Sequence, residues 1–267
     1  MEKTLDINYL NLFLGYLLIL IPILIFYYYK TGLVKDSLIA VARMTIQLFI
    51  VGLYLELLFE YNKAWINSLW WIIMVIIAAF TIIRRAYLSL RIFIIPLIIS
   101  LIISLVVIDA YFLGVIIRLD YFFDARYFIP ISGILLGNCL RTNVLGLNSF
   151  YLKLKTDKIR YRYYLGNGAT RTEALAPFMR EALKTSFNPL IASITVIGLI
   201  SLPGMMTGQI LGGSSPEVAI KYQIMLMLAI FASTLISVVL TILLANRFAF
   251  DDFGNLKDNV IKEKRQV

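Results

Sequence analysis

Read for its hydrophobic and polar positions, the chain alternates long apolar runs with mostly short polar connections. Seven runs stand out, over residues 8–29, 38–59, 65–83, 92–117, 127–147, 189–210 and 222–246. A bilayer core about 30 Å thick needs roughly 20 apolar residues in helical form, and each run is close to that length. A transmembrane barrel would show segments of about ten residues alternating apolar and polar, which these continuous stretches do not. The pattern predicts an all-α polytopic membrane protein, a single transmembrane domain over 1–267 with about seven transmembrane helices. The fifth and sixth runs are the least regular, because Gly, Pro, Asn and Arg interrupt them. The first run is longer than a signal peptide's apolar region and follows a slightly acidic start (Glu2, Lys3, Asp6), so it is expected to be kept as a span.

Composition narrows this picture. Hydrophobic residues make up 60% of the chain and charged residues 15%, against about 45–50% and 25% in soluble domains. The net charge of +9 comes from 25 Lys and Arg against 16 Asp and Glu. Of those 25, 18 fall in connections on one side of the predicted spans and 5 on the other, while Arg43 and Arg141 lie inside runs. Cytoplasmic connections are the ones enriched in Lys and Arg. The expected topology in the cell (inner or plasma) membrane therefore has the N-terminus outside and the C-terminus in the cytoplasm. The excess charge then records orientation and requires no nucleic acid. The chain has no His and one cysteine, Cys139. That excludes an imidazole base or ligand, an internal disulfide and a multi-cysteine metal site.

The long connection 148–188 is expected in the cytoplasm. It opens on a basic aromatic stretch (Lys153, Lys155, Lys158, Arg160, Tyr161, Arg162, Tyr163, Tyr164), turns at Gly166 and Gly168, and continues as NGATRTEALAPFMREALKTSF. Ala174, Leu175, Phe178, Met179, Ala182, Leu183 and Phe187 recur there at helical spacing, with charged residues opposite. This predicts an amphipathic pair of short helices reset at Pro177. Two roles stay open for it: a basic face laid on anionic lipid, or a docking element for a cytoplasmic partner. No G-x-x-x-x-G-K-[ST] phosphate loop occurs, so no nucleotide cofactor is expected in this chain.

Inside the membrane a few polar and flexible points remain as candidates for a path. Arg43 and Gln47, four apart, share one helix face. Along PISGILLGN (130–138), Gly133 and Gly137 form a small-xxx-small face suited to close helix approach. Asn138 and Arg141 follow on a neighbouring face, from which they are expected to meet the Arg43 and Gln47 stripe. In LPGMMTGQIL (202–211), Pro203 and Gly204 break the helix at membrane depth, which requires protein or a water-lined cavity around them. The break reads either as a packing kink or as a gate, with Met205 and Met206 beside it as soft contacts. The ligands of any metal stay undefined. Glu56 and Asp109 read as lying toward the outer ends of their spans, so no partnered carboxylate is expected at mid-depth and no proton relay.

These stretches together resemble the membrane subunits of the FetB-like iron-export ABC transporter family, which includes plant half-transporter subunits linked to aluminium tolerance. The matching residues are Arg43, Gln47, Leu48 and Gly52, then PISGILLGN, then NGATRTEAL (167–175), REAL (180–183), GLISLPGMMTGQIL (198–211) and SPEVAIKYQIM (215–225). The resemblance implies a permease that pairs with a separate cytoplasmic ATPase carrying ATP and Mg, as two permeases plus two ATPases. It also implies that Gly168, Ala169, Thr170, Arg171, Glu173 and Ala174 form the coupling region. Arg43, Gln47, Asn138, Arg141, Pro203, Gly204, Met205 and Met206 would then line or gate the path. The competing expectation is a secondary transporter or channel that needs no ATPase. A membrane enzyme lacks any paired carboxylates or nucleophile motif in a suitable setting.

Overall fold

The computed structural model describes residues 7–262, and the fold is built from helices. They are α1 (Tyr9–Tyr28), α2 (Val34–Tyr61), α3 (Ala64–Arg85), α4 (Leu90–Ile117), α5 (Ala125–Thr156), α6 (Lys158–Gly166), α7 (Arg171–Val196), α8 (Gly204–Leu211) and α9 (Pro216–Ala249). A 3-10 turn at Leu17–Ile19 interrupts α1, and the last eight residues of α4, Ala110–Ile117, are wound as a π-helix. Local signals set several of these ends. Asp124 accepts from the Arg126 backbone N–H at the start of α5, and Ser215 caps α9 with Pro216 in its first turn.

Six helices, α1 to α5 and α9, are long and apolar enough to cross a membrane, so this is a multi-pass membrane protein. The predicted run at 189–210 takes a different form. Its first part is the end of α7, residues 197–203 leave the helix with Gly198 at φ +85°, and α8 completes it. These two pieces lead the chain back along the bundle, as helix direction requires. Tyr151 near the end of α5 donates to Asn246 near the end of α9 (3.0 Å), and Tyr127 and Tyr222 meet near their beginnings. The two helices thus run in parallel, and the chain between them has to return to the other end of the bundle.

The segment 148–188 folds differently from the expected pair of helices reset at Pro177. Helix α5 continues through its beginning, α6 is a short separate helix, and α7 runs unbroken past Pro177. Proline lacks one N–H and disrupts one helical bond. Within the first two turns, that loss falls where the helix is still close to solvent.

Helices α3, α4, α5, α7 and α9 hold the core, while α1 and the apolar part of α2 have no buried residues and form a hairpin at its edge. The α4–α5–α9 contact is lined by small and hydroxyl side chains: Ser100 and Ser104 on α4, Gly146 on α5, and Ser233, Ser237 and Thr241 on α9. Most of these hydroxyls bond back to a carbonyl of their own helix, as in Ser100 Oγ to Pro96 O (2.6 Å) and Thr241 Oγ1 to Ser237 O (2.7 Å). Asn143 crosses the seam and donates to Ser237 Oγ (2.7 Å). Beyond α9, residues 250–262 fold back along the end of the bundle. Ser89 N–H donates to Val260 O (3.0 Å), Lys262 N–H to Tyr87 O (2.8 Å), and Val260 is fully buried.

The expected close approach at Gly133 and Gly137 falls elsewhere. A Cβ at Gly137 would meet nothing within 4 Å and one at Gly133 only the tip of Met74. One at Gly146 would stand 3.1 Å from Val238 Cγ1 and 3.4 Å from Ser186. Gly146→Val should therefore destabilise the bundle by about 1–3 kcal/mol, and Gly137→Val much less. Thermal unfolding of both variants in detergent measures the difference, and equal loss would contradict this account of the seam.

Candidate functional site

A cavity of about 520 Å³ opens between α5, α7, the 197–203 bend, the start of α8 and α9. Helix α5 contributes Asn138 and Arg141, α7 contributes Ser186 and Ser193, and α9 contributes Gln223, while Pro203, Gly204 and Met205 close one side. The Asn138 side-chain NH₂ donates to Ile134 O (2.9 Å). That leaves its carbonyl oxygen free to accept. Gln223 is buried and its Oε1 has no hydrogen-bond partner in the protein. Arg141 is in no ion pair among the described residues, and no Asp or Glu lines the cavity. The wall is therefore apolar with one guanidinium and a few amide and hydroxyl groups, a setting that receives negative charge and hydrogen-bond donors.

Of the residues expected to line a path, the cavity unites Asn138, Arg141, Pro203, Gly204 and Met205. Met206 is not part of its wall. Arg43 and Gln47 stand exposed on α2, away from it, so within one chain the two polar stripes do not meet. The helix break expected at Pro203 and Gly204 is present, with Pro203 in extended backbone immediately before α8.

The motif NGATRTEAL is built as a hinge between two helices. Gly168 takes φ +86°, a left-handed value natural to glycine, just beyond α6, and Ala169 links it to the cap. Thr170 caps α7 in a capping box. Its Oγ1 accepts from the Glu173 backbone N–H (3.4 Å), and its own N–H donates to Glu173 Oε2 (2.8 Å). The spacing of Thr170 and Glu173 is itself a capping signature in the sequence, and it explains Glu173 without a partner protein. Ala174 is buried beneath this turn. The Arg171 guanidinium donates to Asn246 O and lies 4.0 Å over the Phe250 ring, which ties the start of α7 to the end of α9. Nearby, Tyr161 donates to Gly254 O (2.9 Å), and burial holds its hydroxyl above the ordinary tyrosine value.

One polar residue departs from its expected place. Asp109 is not at an outer interface. It is buried between helices, and its Oδ2 accepts from Ser132 Oγ on α5 (2.7 Å). Run length was the available signal: α4 continues to Ile117, leaving Asp109 eight residues inside the helix end, about 12 Å at 1.5 Å per residue.

These features define a multi-pass membrane protein with a largely apolar cavity, carrying one guanidinium, beside a broken helix. Residues 9–250 match the family described as "Uncharacterised protein family (UPF0014)", and the chain belongs to that family. It is 30% identical over 257 residues to "UPF0014 membrane protein YjkA" of Bacillus subtilis, covering 94% of this chain and 99% of that protein. It is 30% identical over 255 residues to "Probable iron export permease protein FetB" of Escherichia coli, covering 95% and 96%. It is also 31% identical over 229 residues to "Protein ALUMINUM SENSITIVE 3" of Arabidopsis thaliana, covering 84% and 81%. No solved structure matches the chain.

Two outcomes follow from the capping box. Thr170→Ala should lower stability by about 1 kcal/mol, read as an earlier melting transition in detergent. The Thr170 hydrogen bonds hold the Glu173 carboxyl below its ordinary value. The box is therefore fully formed above the unfolded value of about 4.3, and its contribution should fade as pH falls through the lower folded value. Melting curves of wild type and Glu173→Gln at neutral and acidic pH test this: the wild-type advantage should shrink on the acid side.

Proposed function

We propose that this chain is the membrane permease subunit of an ABC transporter that exports iron or another metal. In this reading it works as a pair of identical chains with a separate cytoplasmic ATPase, which carries the ATP and Mg. The observation that carries the reading is α7. Its 26 residues, about 39 Å of helix, begin at the Thr170 cap and end along the cavity wall at Ser186, Leu190 and Ser193. A push on the α6–α7 turn would thus reach the cavity through one continuous helix, which carries Pro177 and Pro189 within it. At the far end of that helix, the bend at 197–203 keeps only a few backbone hydrogen bonds, among them Ile200 N–H to Val196 O and Gly198 N–H to Ser201 O, and is suited to yield.

The relatives support the same direction, since one of them is named a probable iron export permease. The excess of Lys and Arg around α6 and α7 supports a cytoplasmic location for the turn, with the N-terminus outside and the C-terminus inside. Pairing of two chains is supported by Arg43, Gln47 and Gly137. All three are exposed on membrane helices, where an arginine and an amide facing lipid would be costly. A second copy lying on α2 would cover Arg43 and Gln47 and supply the stripe that one chain does not bring to its own cavity, and Gly137 on α5 leaves room for close approach. The single positive charge of the wall favours cargo that is negative where it binds, such as a metal held in an anionic complex.

The test is purification of the chain from its native membrane, followed by reconstitution in liposomes. A stoichiometric ABC ATPase subunit should co-purify, and its hydrolysis should be stimulated by iron or another metal presented with small organic anions. Arg141→Gln should remove most of that stimulation. Glu173→Arg should insert normally yet lose stimulated transport, whereas Glu173→Gln, which keeps the capping box, should retain it. Full transport without any ATPase would replace this reading with a secondary transporter or channel, and normal transport by Glu173→Arg would remove the coupling assignment.

A further inference from the structure

We propose that Asp109 is a proton-binding site within the membrane bundle, taking up and releasing one proton as the helices rearrange. This goes beyond the transport reading and does not rest on it. Asp109 is 1% exposed, and a buried charge of this kind requires a counter-charge or neutralisation. No Lys or Arg among the described residues pairs with it. Its partners are neutral. Ser132 on α5 donates to Oδ2, while Oδ1 has no hydrogen-bond partner in the protein. The indole N–H of Trp71 on α3 stands beside the carboxyl, also buried and also unpartnered in normal geometry. The titratable group facing it is the Cys139 thiol on α5, and α9 contributes the Ser233 and Ser237 hydroxyls around that thiol.

The donor set selects the cation. One carboxylate, one hydroxyl and one thiol are too few for a metal ion, and no group of three or more His, Cys, Asp or Glu suited to a metal occurs among the described residues. A proton needs only the one free carboxylate oxygen. Ionised, Asp109 accepts from Ser132 and draws in the Trp71 N–H. Protonated, it needs no counter-charge and releases Trp71. The two states therefore favour different placements of α3 against α4. Asp109 is also the residue from which the π-helical segment Ala110–Ile117 starts, and such segments frequently accompany functional sites.

The nearest cleft begins one turn away and is closed off from the carboxyl by the buried Phe112, so exchange requires the helices to part. This cleft, of about 250 Å³ at the end of the bundle remote from α6, is lined by Phe112, Ile116 and Ile117 of α4 and by Lys221, Tyr222 and Met225 of α9. When α4 shifts and this cleft extends past Phe112, a hydronium ion would give its proton to Oδ1, leaving water and a neutral carboxylic acid, and release to water would reverse the step.

Infrared difference spectroscopy of the full chain in lipid nanodiscs, titrated between about pH 5 and 9, tests the site. Wild type should show a carboxylic acid C=O band that grows as pH falls and shifts in heavy water. The band should be lost in Asp109→Asn and kept in Glu56→Gln. Ser132→Ala, which leaves the carboxyl in place, should move its midpoint by about one pH unit. It keeps the test decisive if Asp109→Asn does not fold. A band that persists in Asp109→Asn, a midpoint unmoved in Ser132→Ala, or a wild-type spectrum without a titrating acid band would each overturn the proposal.

Discussion

Every polar atom buried between α4, α5 and α9 has to find its partner inside the protein, because lipid supplies none. The seam meets most of this requirement with short side chains, Asn143 Oδ1 being a buried atom without a partner in the protein. Ser100, Ser104, Ser233 and Thr241 each bond to a carbonyl of their own helix. Asn143 reaches across to Ser237. At Gly146 the missing side chain lets Val238 of α9 and Ser186 of α7 pack onto α5, a gain of dispersion contacts in place of the hydrophobic drive that water would provide. The cavity and the Asp109 cluster both border this seam, on different faces of α5.

Two kinds of mobility are built around that rigid centre. Helix α7 is continuous from its cap to the cavity, but the chain beyond it is held by little more than the Gly198-to-Ser201 and Ile200-to-Val196 backbone bonds before α8 begins. The α1–α2 hairpin is the other loose part. It joins the core mainly through the far half of α2, where Tyr54 stacks on Trp70 with ring centroids 4.0 Å apart and Leu58 is buried. The central helices thus form a frame, with adjustable elements on two sides.

Much of this frame was legible in the sequence, since four of the apolar runs match full-length helices, while 127–147 and 222–246 lie within α5 and α9. The helix break at Pro203 and Gly204 was legible as well, because proline and glycine carry their conformational limits locally. Other features depended on partners far along the chain. Arg43 and Asn138 have suitable chemistry, yet only the packing of α2 decides whether they meet, and within one chain they do not. Asp109 read as lying toward the outer end of its span, because its partner Ser132 is 23 residues away and hydropathy does not show which helix face is covered. The capping box at Thr170 and Glu173 was present in the letters. Amphipathic spacing drew attention to the face of α7 and away from its first turn.

The folded-back segment after α9 has a mechanical consequence. It is pinned to the α3–α4 turn through Ser89 and Tyr87, and to α6 through Tyr161 and the Lys158–Asp258 pair. Together with the Arg171 contact to Asn246, these links close a ring around one end of the bundle. In a ring, displacement of any member is shared by the others, so tilting α6 would pull on the ends of α3 and α4 as well as push α7. The two routes act in parallel, and α4 is the helix that carries Asp109.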